Sequence, residues 1–172
     1  LLITAAAPVT GGEGSSSFWC GLLASSCTED GKDESNLIFV NLLAQLTSSE
    51  ARLLNYLCEN AEKVTNPIGV VGAYTVELGR SNLLEVAGVS DVQRMIRELD
   101  HLNALRLIEG TFGSEPESEQ SQAYEALELE DMMITAPDFT LANIAPTSFG
   151  ISLYVRCQGS LSPPHKFFNL KI

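Results

Sequence analysis

The sequence predicts an α+β fold that is mostly α. A helical N-terminal part leads into a winged-helix-like core, a helix-turn-helix followed by a β-wing. Three observations predict it. Leu83 to Gly88 reads as the end of a short helix closed by a glycine turn. Val92, Met95, Ile96, Leu99 and Leu102 then fall at i, i+3, i+4, i+7 and i+10, which makes one face of a second helix apolar. Leu107 to Phe112 reads as a first wing strand, and the alternating run Phe139 to Ile144 as its return.

The elements follow in order. Residues 1–17 read as a flexible N-terminal segment, because Gly11 to Ser17 has linker composition. Alternatively, the first residues belong to a longer upstream helix. Phe18, Trp19, Leu22 and Leu23 begin a helix ending near Cys27, with Trp19 as a core anchor. Thr28 to Glu34 is an acidic loop without the ligand spacing or closing Glu of a calcium loop. Ser35 can cap a helix that turns Ile38, Leu42, Leu43 and Leu46 inward. Thr47-Ser48-Ser49-Glu50 is a capping box. It opens a helix with Ala51, Leu53, Leu54, Leu57, Cys58 and Ala61 inward, and it gives Glu50 a structural duty.

Pro67 and Gly69 break that pattern, and Ile68 to Val76 reads as a short strand or an extended connector. Ser81 or Asn82 can begin the short helix that Gly88 ends. Ser90-Asp91-Val92-Gln93 fits a second capping box. Opposite the apolar stripe, the next helix shows Arg94, Arg97, Glu98 and His101. That face would enter the major groove in a DNA reader, and it reads equally as a solvated surface of mixed charge. In the turn that follows, either Asn103 takes the left-handed conformation or Arg106 does, at a strain of about 1 kcal/mol.

The wing carries a long acidic loop over residues 114–131, with a helical turn expected around Tyr124 to Leu129. Thr147 can cap a closing helix from Ser148 to Gln158. Phe149, Ile151, Leu153, Val155 and Cys157 alternate there, however, which by pattern alone is a strand. Pro163-Pro164 makes residues 160–172 an extended tail.

The 172 residues suit one domain, here residues 18–159 with its appendages. Twenty-two acidic and ten basic residues give a net charge of −12. Such a surface repels nucleic acid and anionic membrane unless a basic patch is segregated. Cys20, Cys27, Cys58 and Cys157 form no C-x-x-C pair, and only His101 and His165 could join them, so no metal site is expected. Their apolar neighbours predict buried thiols in a reducing compartment, hence a cytoplasmic protein. No apolar run reaches the roughly 18 residues of a membrane span. Leu1 to Val9 is apolar but lacks the basic flank of a signal peptide.

Three stretches together resemble one family. They are Phe18 to Ser26, Phe39 to Leu54, and Ile144 to Gly150 followed by Leu153 to Cys157. Within them stand a W-x-x-L-L-A helix at Trp19 and an L-T-x-x-E-A-x-x-L helix at Leu46, and an L-x-x-L-x-x-L-x-L-I-E turn begins at Leu99. Their order and spacing look like the abortive infection alpha family, over most of residues 18 to 159. The departures are Arg106, where glycine is usual, and the length of the acidic wing. The resemblance favours helix for 148–158. It implies a bacterial protein linked to phage defence, in which an infected cell halts growth. It supplies no catalytic residue to carry over.

The leading expectation is therefore a non-enzymatic winged-helix-like interaction module that binds a protein partner and needs no cofactor. A homodimer is the other protein-level candidate, with Phe167-Phe168 and the first leucines as contacts, although these could equally cap the core. The alternative is a DNA-binding transcriptional regulator using the 91–104 helix, with Arg80, Arg94, Arg97 and Arg106 as the nucleic-acid-binding set. These four carry four of the ten basic charges. Catalysis is not expected. The acids cluster in a loop, where charge is usually solvated, and Asp100 and His101 are helix neighbours that point apart.

Overall fold

The computed structural model describes residues 13–27, 35–113 and 141–171. The readings of residues 1–12, 28–34 and 114–131 and of Phe139-Thr140 lie outside these. The chain is a mixed α+β structure with small antiparallel sheets.

α1 (Glu13–Ser26) begins inside the stretch read as linker, so the flexible segment does not run to Ser17. Burial of Phe18 and Leu22 on the core outweighs the roughly 1 kcal/mol that one glycine costs a helix. α2 (Leu37–Leu43) starts after Asn36 rather than from a Ser35 cap. Asn36 is buried and donates from Nδ2 to Ser25 Oγ at 3.1 Å and Ser26 Oγ at 3.0 Å, which ties α2 to the end of α1. Phe39 takes the core position expected of Ile38, which is 53% exposed.

α3 (Ser48–Asn60) opens with both halves of the predicted capping box. Its Leu53, Leu54, Leu57 and Cys58 are fully buried. The next segment differs from expectation. β1 (Lys63–Thr65) and β2 (Val71–Ala73) form an antiparallel hairpin, and β3 (Val76–Gly79) belongs to a different sheet. Three-residue strands are too short for period-2 alternation to reveal them. α4 (Arg80–Ala87) follows Gly79 directly and is not capped by Ser81 or Asn82. It ends as expected at Gly88, whose φ of 65° is the left-handed C-cap that glycine adopts without a Cβ penalty. The Arg52 guanidinium of α3 donates from Nε to the terminal Ala87 carbonyl at 3.1 Å.

After α5 (Val92–Ala104), β4 (Ile108–Gly113) and β5 (Leu141–Pro146) return as an antiparallel pair. β5 is central and the sheet order is β3-β5-β4, with Asn143 opposite both Glu77 and Thr111. Thr147 then caps α6 (Ser148–Cys157), its Oγ1 accepting from Gly150 N at 3.0 Å. The segment is helical despite its alternation. It is buried nearly all round, and a helix of that kind has no polar face to show in the pattern. The tail is not extended throughout, because α7 (Pro164–Phe167) forms with proline at its first helical position. Phe167 and Phe168 each lie 6.3 Å from the Tyr154 ring and cap the core there.

Gly21 sits where α1 crosses α6. A Cβ there would overlap the Cys157 carbonyl. Gly21→Ala should therefore destabilise the fold by about 1–3 kcal/mol, the usual range for overpacking. Urea denaturation would read this as a lower midpoint.

Cys58 and Cys157 are buried as expected, whereas Cys20 and Cys27 are exposed, contrary to expectation. Both lie on the partly solvated helix α1 or at its end, where apolar sequence neighbours do not enforce burial. No helix among the described residues is long and apolar enough to cross a membrane. Burial pushes the Cys58 and Cys157 thiols up from 9.0 to about 12. Between those values the unfolded chain binds fewer protons than the folded one, so stability falls as pH rises through this window. Desolvation lowers Lys63, which acts in the opposite sense through its own window. Urea midpoints should drop as pH rises from about 9 to about 11, and by less in Cys58→Ala. An unchanged slope in that variant would remove Cys58 as a cause.

Candidate functional site

The polar face of α5 starts from a cap that differs from the expected box. Asp91, not Ser90, is the N-cap, and its Oδ1 accepts from Gln93 N at 3.0 Å. This sets the helix one residue later. The apolar stripe still faces the core, with Met95, Leu99 and Leu102 fully buried.

The opposite face is not simply solvated. Glu98 is 7% exposed and packed inside. Arg94 Nε donates to Glu98 Oε1 at 2.9 Å, and Arg94 Nη2 reaches Ser49 Oγ of α3 at 3.4 Å. His101 Nδ1 pairs with Glu50 Oε1 at 2.7 Å. Glu50 is 1% exposed, and its Oε2 accepts from Thr47 N at 2.7 Å. The capping box thus leaves one carboxylate oxygen of Glu50 free to hold α5. Thr47, Ser49, Glu50, Arg94, Glu98 and His101 form one network across the α3–α5 junction. Glu98 Oε2 is buried in it without a hydrogen-bond partner.

The four arginines predicted for nucleic acid are not gathered into one free patch. Arg80 is half-buried at the first residue of α4. Arg94 is engaged as described. Arg97 is exposed on α5. Arg106 is exposed beyond the far end of α5, and that end lies about 15 Å along the axis from Arg94 at 1.5 Å per residue. Arg106, not Asn103, takes the left-handed conformation, with φ 58°. The turn is held by α6, since Thr147 N donates to Leu107 O at 3.1 Å.

Chemically, the network positions an imidazole against a buried carboxylate, with the histidine side chain 40% exposed. Both groups are tied to helix ends. Among the described residues, no three His, Cys, Asp or Glu side chains could hold a metal ion. Two clefts open elsewhere. One of about 400 Å³ lies between the β1–β2 hairpin and the start of α6, lined by Val64, Gly72, Arg106, Glu109, Pro146 and Phe149. The other, of about 300 Å³, lies over Phe18, Ala51, Tyr56 and Val86. Sequence reasoning found neither the hairpin cleft nor the burial of Glu98. The i,i+4 spacing of Arg94 and Glu98 was the available signal for their pairing.

Residues 2–157 of the chain match the family described as abortive infection alpha. The chain belongs to that family. No curated protein matches it, and no solved structure does. In this abortive infection alpha chain the L-T-x-x-E segment from Leu46 to Glu50 is the capping box whose glutamate holds α5.

Removing Arg94 leaves a buried carboxylate without its cation. Arg94→Ala should destabilise by about 1–3 kcal/mol, the cost of an unsatisfied buried polar group. Arg94→Ala combined with Glu98→Gln should recover most of that loss. Chemical denaturation of the full double-mutant cycle would check it, and simple additivity would mean that the two side chains are not coupled.

Proposed function

We propose that the chain is a non-enzymatic, winged-helix-like interaction module of a bacterial abortive-infection protein, and that it acts in phage defence by binding a protein partner. The element order α3-β3-α4-α5-β4-β5, with sheet order β3-β5-β4, supports the winged-helix-like description. Membership of the abortive infection alpha family supports the setting.

One observation carries the choice of a protein partner over DNA. The face of α5 that a helix-turn-helix would lay in the major groove carries a buried glutamate, and its Arg94 is already bound to that glutamate. Turning Arg94 toward a phosphate would strand the Glu98 charge. The net charge of −12 adds long-range repulsion. Binding rather than catalysis is favoured because the Glu50–His101 pair joins two helices and Glu50 is also used in a cap. The regulator reading keeps exposed Arg97 and Arg106 in its favour.

Labelled duplex DNA titrated with the protein at low and moderate salt distinguishes the two. We expect no salt-sensitive binding, in the wild type or in an Arg94→Glu/Arg97→Glu variant. Binding that weakens with salt and is lost in the variant would make α5 a DNA reader and overturn the proposal.

A further inference from the structure

The β1–β2 hairpin presents an apolar face that the fold does not use. Val64 is 37% exposed, Val70 45%, Tyr74 59% and Ile68 83%. Val64 stands opposite Gly72 in the ladder, and Val70 and Tyr74 flank Gly72 at two-residue spacing, so all share one face of the ribbon. Val71, on the other face, is buried. The tip is rigidly built. Asn66 Oδ1 accepts from Ile68 N at 3.2 Å and Val70 N at 2.8 Å, and Gly69 N donates to Asn66 O at 2.9 Å. The loop therefore holds Ile68 in solvent in a fixed geometry, which lowers the ordering cost of binding.

Gly72 is the second observation. A glycine inside a strand weakens it and often marks a place where another backbone comes close. None of the described residues requires one here. A Cβ at Gly72 would meet only Val64 Cγ2, at an ordinary 3.8 Å. The missing side chain instead keeps open the cleft of about 400 Å³ beside the hairpin. Among the described residues no third strand is hydrogen-bonded to β1, and such an edge accepts an added strand.

Charge selects the occupant. Glu62 and Glu77, which bracket the hairpin, are exposed. Lys63, the one base between Glu59 and Gly79, is turned inward. Its ammonium donates to the Ala61 carbonyl at 2.6 Å and to that of Cys58, and it lies 5.1 Å from the Phe168 ring. Arg106 and Glu109, both on the cleft, offset each other. The rim is therefore acidic. A second copy of a chain with net charge −12 would be repelled.

We propose that the hairpin face of Val64, Ile68, Val70 and Tyr74, with the Gly72 cleft, docks an extended segment of a partner protein that alternates lysine or arginine with apolar side chains. This rests on the protein-partner reading above and names its surface. The acidic rim would hold the cations, while the apolar residues enter the cleft and cover Ile68.

The test uses the full chain and a fluorescent synthetic peptide alternating lysine with valine and phenylalanine, beside a counterpart with glutamate for lysine. Anisotropy should show saturable binding of the lysine peptide only. Ile68→Asp and Gly72→Val should each weaken it by about tenfold or more, the scale of an interface anchor. Gly72→Val should fold with unchanged or higher thermal stability, because valine suits a strand. Equal binding by wild type and Gly72→Val would mean that the peptide sits on some other acidic surface, and it would overturn the proposal. So would binding of the glutamate peptide, no binding of either peptide, or a dimer in sedimentation that Ile68→Asp dissociates. Absence of peptide binding together with absence of DNA binding rejects this surface and leaves the module reading standing. DNA binding rejects the module reading whatever the peptide does.

Discussion

Glu50 is an almost fully buried carboxylate, and its two oxygens do different things. One receives the Thr47 N–H and fixes where α3 begins. The other receives His101 and fixes where α5 lies against α3. Burying a carboxylate costs less when both of its oxygens are satisfied, so the start of one helix and the placement of another are set by a single constraint. α3 also packs against α1, α4, α6 and β5. The position of α3 therefore reaches most of the molecule.

A second constraint concerns the basic residues. Arg52 closes the end of α4 at Ala87, Lys63 closes the end of α3 at Cys58 and Ala61, and Arg94 neutralises Glu98. Cations at helix C-termini complement the dipole and satisfy carbonyls that have no intrahelical partner. Each of these bases has a partner within the fold, although the Arg94 side chain is 52% exposed, while Glu59, Glu62, Glu77, Glu85 and Glu109 face solvent.

The sheet completes the arrangement. β5 enters between β3 and β4 and pairs with both, joining segments far apart in sequence. Its last residue leads straight into the Thr147 cap of α6, and the same threonine's N–H holds the Arg106–Leu107 turn. The turn can keep a left-handed arginine because a neighbouring helix start clamps it on the other side.

Local spacing made part of this legible in the sequence alone. The box at Thr47, the left-handed Gly88, the cap at Thr147 and the apolar stripe of α5 depend on residues within one or two turns of each other. Their chemistry therefore reads directly from the order of side chains. The family could be read from the same segments. Other features were decided only by tertiary structure. Glu98 has the same spacing whether it is buried or solvated, and the packing of α5 against α3 decides that it is buried. Phe167 and Phe168 could cap a core or cover a partner, and only the fold shows that both pack against the Tyr154 ring. The choice between Asn103 and Arg106 waited on the anchoring of Leu107 by Thr147. β1, β2 and β3 carry too few residues to show a period, and their strand character comes from the chains laid beside them. The hairpin cleft is likewise a product of packing. Gly72 lies inside the stretch read as a short strand or connector, and only the space above it in the fold makes it a surface.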